Sequence, residues 1–122
     1  MLPAVAQGAI GVEIRRRDGR MRAWLAAVND AASAMALAAE RAFLAVLDGS
    51  CKTPIAALAE IEGGRLTLRC GIYSPDGTTS FETRRCGDGA DAARLGADAG
   101  AELRLRAGPG FFDFPLAVAR PL

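Results

Sequence analysis

Cys51 is the residue of this chain that is best suited to covalent chemistry. It lies in the stretch 47–54, Leu-Asp-Gly-Ser-Cys-Lys-Thr-Pro. Gly49 suits the left-handed position that follows a helix, and Pro54 cannot continue one. We therefore expect Cys51 to follow a helix end in a polar turn, with an exposed thiol. Because cysteines are more often buried packing residues than functional ones, the turn alone leaves a packing role open.

Three features limit the chemistry that Cys51 could support. The chain has no histidine, so it lacks the usual general base and the commonest metal ligand. A helix C-terminus carries partial negative charge and disfavours a thiolate, so activation would have to come from Lys52 or from arginines nearby in space. Three cysteines without C-x-x-C spacing indicate neither a disulfide framework nor a zinc site.

The N-terminal stretch contains the other candidate binding residues. Residues 4–14 are small and apolar, which predicts a buried strand, and Gly8 would permit close backbone approach to a neighbour or ligand. Gln7 could donate a hydrogen bond to a ligand or be a satisfied polar residue in the strand. Arg15 opens a run of three arginines, which fits either carboxylate binding in a cleft or a solvated face.

Composition excludes several classes of function. The net charge is +1 over 122 residues, which argues against a general nucleic-acid binder. No apolar run is long enough to span a membrane, and the start lacks the regions of a signal peptide. We expect a soluble cytoplasmic protein.

The helices that position these residues are predicted from apolar spacing and caps. Asp18 is the expected N-cap of a first helix and Asp30 that of a second, over 31–48, with Glu40 facing outward. A last helix over 91–107 contains Gly96 and Gly100, which we expect to allow close packing on the sheet. The apolar face of the first helix consists of Met21, Trp24, Leu25 and Val28.

Three strands are predicted between the second and last helices, over 54–62, 65–73 and 78–86. Turn signals at 63–64 and 74–77 make them consecutive antiparallel neighbours, with the third at an edge. Cys70 should then oppose residue 82 or 83. A disulfide between Cys70 and Cys86 is thereby excluded, and we interpret both thiols as packing residues. The fold class is α+β, a three-stranded antiparallel sheet packed against helices and preceded by an orphan strand.

Two segments together resemble one family, porphobilinogen deaminase (hydroxymethylbilane synthase). One is residues 2–13, Leu-Pro-Ala-Val-Ala-Gln-Gly-Ala-Ile-Gly-Val-Glu. The other is Ala-Glu-Arg-Ala-Phe-Leu at 39–44, running into residues 47–55. The stretches 74–77 and 110–113 also look like this family. The similarity extends over nearly the whole chain in the expected order.

The resemblance implies a domain organisation. Residues 1–17 would be a strand returning to a preceding domain that is absent, 18–108 the C-terminal cofactor-bearing domain, and 109–122 a tail. The chain is thus expected to be a fragment. The family's catalytic aspartate would belong to the missing domains, so the isolated chain should be inactive.

The resemblance also implies roles for single residues. Cys51 would hold the dipyrromethane cofactor through a thioether, Gln7 and Gly8 would lie beside the cofactor, and Arg15 would bind carboxylates of cofactor and substrate. The enzyme would join four porphobilinogen units into hydroxymethylbilane, with loss of ammonia at each step, in heme biosynthesis. The substrate partners are porphobilinogen and the growing pyrrole chain.

Two alternatives remain open at this point. The first is a non-catalytic interaction module of the same fold, which would pair through residues 4–14 with a partner or with a second copy. The second is a thiol-redox protein, although no resolving cysteine lies within two residues of Cys51.

Overall fold

The computed structural model describes residues 1–48 and 53–113 and has an α+β fold, as predicted. The three strands form one antiparallel sheet in the order β1-β2-β3. Helices α2 and α3 pack against each other and against the sheet. The elements, in chain order, are α1 (Gly19–Ala26), α2 (Ala31–Val46), β1 (Ile55–Glu62), β2 (Arg65–Tyr73), β3 (Ser80–Asp88), a single 3₁₀ turn (Gly89–Asp91) and α3 (Ala92–Ala107).

Aspartate side chains start the first two helices. The Asp18 carboxylate accepts the Met21 N–H at 2.9 Å, and the Asp30 carboxylate accepts the Ser33 N–H at 2.8 Å. Each bond satisfies a backbone donor that has no partner inside the helix. Both predicted caps are confirmed. The predicted apolar face of α1 is not buried within the described residues, since Trp24 is 59% exposed.

The strand register confirms the prediction for Cys70. Cys70 pairs with Thr83, and its side chain is fully buried on the inner face of the sheet. Cys86 instead pairs with Thr67 and is exposed. The prediction that Cys86 is a packing residue is therefore wrong, because its position in β3 places it on the face of the sheet opposite to that of Cys70.

The glycines of α3 lie against α2. A Cβ atom on Gly96 would come within 2.0 Å of the Ala39 carbonyl oxygen, and one on Gly100 within 3.0 Å of the Phe43 carbonyl oxygen. The prediction of close packing is confirmed, but its partner is helix α2 and not the sheet. Small residues let the two helix backbones approach closely at this point.

Strand β3 forms one edge of the sheet, as predicted, and α3 supplies charged partners along it. The Arg85 guanidinium donates to Asp98 and to Glu102, in both cases at 2.6 Å. The Arg106 guanidinium donates to the backbone carbonyl of Glu82 at 2.9 Å. These contacts tie α3 to β3 by charge as well as by packing.

The N-terminal segment is mostly not a strand in this structure. Ala4 forms an isolated antiparallel bridge with Ala56, residues 5–8 form turns, and residues 9–15 have no regular structure. Pairing of residues 4–14 with a further domain is not tested by these contacts and stays a prediction. The domain boundaries also remain predictions.

The C-terminal tail is described only as far as residue 113. Within that part, the Phe111 ring lies 5.5 Å from the Phe81 ring and packs against the core. None of the helices in the described ranges is long and apolar enough to cross a membrane.

Candidate functional site

The segment that carries Cys51 lies outside the described residues, but both of its flanks are described. On the helix side, Leu47 is buried and Asp48 has a left-handed φ of 50°. On the strand side, Ile55 is buried, and the Tyr73 N–H donates to the Pro54 carbonyl at 3.0 Å. The core therefore fixes the chain on each side of residues 49–52. Exposure of the Cys51 thiol stays a prediction.

Arg104 lies at the end of helix α2. Its guanidinium donates to the Val46 carbonyl at 2.9 Å and lies 3.9 Å from the Asp48 carboxylate. A cation at a helix C-terminus offsets the partial negative charge there. Arg104 is thus an arginine brought close in space to the helix end that precedes Cys51. In the sequence, this contact is indicated only by a basic residue in the last turn of α3.

Gln7 and Gly8 lie in a turn that leaves the edge of the sheet. The Gln7 N–H donates to the Ala4 carbonyl and the Ala9 N–H to the Ala6 carbonyl, both at 3.2 Å. Gly8 has a φ of 80°, which glycine adopts at little cost. A Cβ atom at Gly8 would meet nothing within 4 Å. Its use in this structure is therefore conformational, and the predicted close approach is not found among the described residues.

Glu40 is a residue of this region that sequence analysis placed wrongly. We predicted that it faces outward, but it is only 7% exposed. Its carboxylate accepts the Ala6 N–H at 2.7 Å and the Ala59 N–H at 2.8 Å. Helical periodicity could not reveal this role, because the two donors come from segments 34 and 19 residues away.

Arg15 is exposed, and its backbone carbonyl accepts the Asp18 N–H at 3.0 Å. Within residues 1–48 and 53–113, its guanidinium forms no ion pair. A groove of about 490 Å³ beside α1 and α2 includes Gly8 in its wall but not Arg15. Arg15 and Gly8 therefore do not line this groove together.

Cys70 is unsuited to nucleophilic chemistry. Burial in the core raises the pKa of its thiol to about 12. The positive charge of Arg85 lowers this pKa and the negative charge of Glu40 raises it, but both effects are smaller than that of burial. Since the thiolate is the reactive form, Cys70 is unreactive at neutral pH. Cys86 is exposed and lies 3.8 Å from the Thr67 hydroxyl.

This contrast predicts the labelling of thiols in a Cys51→Ser variant. A small thiol reagent at about pH 8 should label Cys86 in the native protein and leave Cys70 unmodified, because that pH lies far below the Cys70 pKa. In denaturant both thiols should react. Peptide mass spectrometry identifies the labelled residue. Rapid labelling of native Cys70 would contradict its burial.

Comparison with known proteins identifies the family. A family model described as "Porphobilinogen deaminase, C-terminal domain" matches residues 34–104. The chain belongs to the porphobilinogen deaminase family. The resemblance inferred from the sequence is thereby confirmed, and Cys51 falls within the matched range.

Curated porphobilinogen deaminases match almost the whole chain. The protein from Nitrobacter hamburgensis is 57% identical over 111 residues, which cover 91% of this chain and 35% of the relative. The Paracoccus denitrificans protein is 56% identical over 114 residues, or 93% of this chain and 36% of the relative. The chloroplastic porphobilinogen deaminase of Oryza sativa subsp. japonica is 50% identical over 116 residues, which cover 93% of this chain and 32% of the relative. The chain thus spans about a third of the length of these relatives.

Proposed function

We propose that this chain is the cofactor-bearing C-terminal part of a porphobilinogen deaminase, a transferase of tetrapyrrole biosynthesis. Cys51 holds a dipyrromethane through a thioether, and the complete enzyme joins four porphobilinogen units into hydroxymethylbilane. The observation that carries the proposal is the family match over residues 34–104, which includes Cys51. The names of the curated relatives support the same activity.

The other thiols are poorer candidates for the attachment. Cys70 is fully buried and its pKa is raised to about 12. Cys86 is exposed, but it lies in β3 and pairs with Thr67, outside the stretch 47–55 whose cysteine the family resemblance assigns to the cofactor. Cys51 is separated from the described Thr53 by one residue, between two flanks that the core fixes.

The residues of the chain would serve attachment and binding. The Cys51 sulfur forms a bond to the methylene carbon of a pyrrole unit as ammonia departs, and the thiol proton leaves with the ammonia. Arg104 donates to the Val46 carbonyl and offsets the partial negative charge at the end of α2, the helix that precedes the segment of Cys51 in the chain. When bound, the dipyrromethane would supply the free pyrrole carbon to which the first new unit is joined.

Arg15 and Gln7 would bind the polar groups of cofactor and substrate. The exposed Arg15 guanidinium has donors for acetate and propionate carboxylates, which it can bind in a bidentate manner. Gln7 is exposed in the turn beside Gly8 and can donate a hydrogen bond. We assign no catalytic residue to this chain. The catalytic aspartate is expected in other domains, so the chain alone should not turn over porphobilinogen.

The interaction module is retained as a second candidate because of the exposed apolar side chains in the N-terminal segment. Ile10 is 94% exposed and Val12 is 64% exposed, and both belong to residues 4–14. Such side chains favour a covering partner, either other domains of the enzyme or a second copy of the chain. For either candidate we propose a cytoplasmic location. Two plant relatives are named chloroplastic.

The intact mass of the purified chain tests the proposed function. Chain isolated from cells that make porphobilinogen should carry the mass increment of a dipyrromethane and react with an aldehyde reagent for pyrroles. Cys51→Ser should lose both signals, because serine forms no thioether. Cys86→Ser is the matched control and should keep them.

Two outcomes would contradict the assignment to Cys51. One is an adduct that persists in Cys51→Ser. The other is a chain that has the bare mass in every variant, also after incubation with porphobilinogen and a full-length enzyme. Self-association of such an unmodified chain would favour the interaction module instead.

A further inference from the structure

Glu40 is a buried carboxylate that joins three segments of the chain. Its backbone belongs to α2, its Oε1 atom accepts the N–H of Ala59 in β1, and its Oε2 atom accepts the N–H of Ala6. It is the one charged residue that is buried among those the structure describes. Burial of a carboxylate is unfavourable unless hydrogen bonds replace its water, so Glu40 stays in place only if both donors are present.

The position of Glu40 explains where the N-terminal segment leaves the sheet. Along the free edge of β1, the Ala57 N–H donates to the Pro3 carbonyl at 3.1 Å, so the segment pairs there like a short fourth strand. Two residues further along the same edge, the donor is Ala59, and its acceptor is Glu40. The side chain thus takes the place of the carbonyl that a continuing strand would have supplied.

The second oxygen of Glu40 holds the departing chain. Ala6 has a φ of 60°, which is unusual for a residue with a side chain, and it directly precedes Gln7 and Gly8. Its N–H is held at 2.7 Å by Glu40. A single carboxylate therefore ends the pairing and fixes the first residue of the turn.

We propose that Glu40 is a positioning residue, which sets the Gln7–Gly8 turn relative to α2 and β1. These two elements lead into and out of the segment that carries Cys51. The importance of this alignment rests on the proposed function, in which Gln7, Gly8 and Cys51 bind the cofactor. The contacts themselves do not depend on it. Loss of the carboxylate should free the turn locally and leave the attachment of a cofactor to Cys51 unchanged.

Amide hydrogen exchange distinguishes this role from a general contribution to stability. Glutamine at position 40 keeps the size of the side chain but has only one acceptor oxygen, so one of the two bonds is lost. In Glu40→Gln, the amides of residues 6–9 should exchange about tenfold faster than in the parent chain, under conditions where α3 exchanges at the parent rate. The matched control is Leu103→Ala, which removes a fully buried side chain of α3 and should speed exchange throughout the core.

The outcomes are separable. Unchanged exchange both of residues 6–9 and of the Ala59 amide in Glu40→Gln would overturn the proposal. A pattern equal to that of Leu103→Ala at equal stability would also overturn it. If Glu40→Gln does not fold, Glu40→Asp replaces it, because a side chain one methylene shorter loosens the same two bonds. The mass of the Cys51 adduct, measured on the same samples, reports on the proposed function alone. If neither the parent chain nor the variant carries the adduct, the proposed function is contradicted. The exchange result still decides the role of Glu40 in that case.

Discussion

Gly96→Ala is expected to destabilise the fold by about 2 kcal/mol. The new Cβ atom would lie 2.0 Å from the carbonyl oxygen of Ala39 and 2.9 Å from its carbonyl carbon. These are backbone atoms of α2, which cannot move aside without the helix. Overpacking of this kind costs about 1–3 kcal/mol or more, and the better helix propensity of alanine returns only about 1 kcal/mol. Denaturant unfolding of the two chains, analysed with a common m-value, measures the difference.

The chain offers matched controls for that substitution. Gly19→Ala makes the same chemical change at the start of α1, where a Cβ atom meets nothing within 4 Å, and it should be neutral or slightly stabilising. Gly100→Ala should be intermediate, because its nearest neighbour is the Cβ of Val46 at 2.9 Å. A decrease of less than about 1 kcal/mol in the free energy of unfolding of Gly96→Ala would contradict the prediction and show that α2 and α3 separate easily.

Cys51→Ser is expected to abolish hydroxymethylbilane formation in a full-length enzyme that contains this chain. The physical reason is that the serine hydroxyl is a far weaker nucleophile than a thiol near neutral pH and forms no thioether. The fold should be retained, since both flanks of the segment are anchored by Leu47 and Ile55. Release of ammonia and formation of the linear tetrapyrrole from porphobilinogen are the measurements.

The controls for this second prediction separate chemistry from folding. Cys86→Ser should keep full activity, because Cys86 is exposed in β3 and has no proposed role in binding the cofactor. Cys51→Ala should unfold at the same temperature as the parent chain. Turnover by the serine variant would contradict the role of Cys51. A large decrease in the unfolding temperature of the alanine variant would mean that the thiol is a core residue.

The features that sequence analysis predicted correctly are local ones. Asp18 and Asp30 cap helices through bonds that span three residues. The pairing of Cys70 with Thr83 follows from strand alternation and a short turn. In such cases neighbours along the chain determine the geometry, so spacing and residue type are sufficient.

The features that were missed depend on contacts between distant segments. Glu40 resembles a solvated helix residue until the N-terminal segment and β1 bring their N–H groups to it. Gly96 was assigned to the sheet because helical spacing does not say which element its face meets. The candidate site shares this limit. The sequence indicated Gln7, Gly8, Arg15 and Cys51 by residue type and by the family resemblance. It did not indicate the turn that contains Gln7 and Gly8 or the contact of Arg104 with the end of α2.

The edge formed by β3 has a consequence for solubility. The unpaired edge of a strand is a template for intermolecular pairing and aggregation. In β3, side chains such as Arg84 and Asp88 put charge on that edge, and Arg106 already occupies the carbonyl of Glu82. A second chain that docked there would have to displace a guanidinium and bury charge. The strand therefore resists fibril-like growth, and the domain can keep an open sheet edge without adding strands from its neighbours.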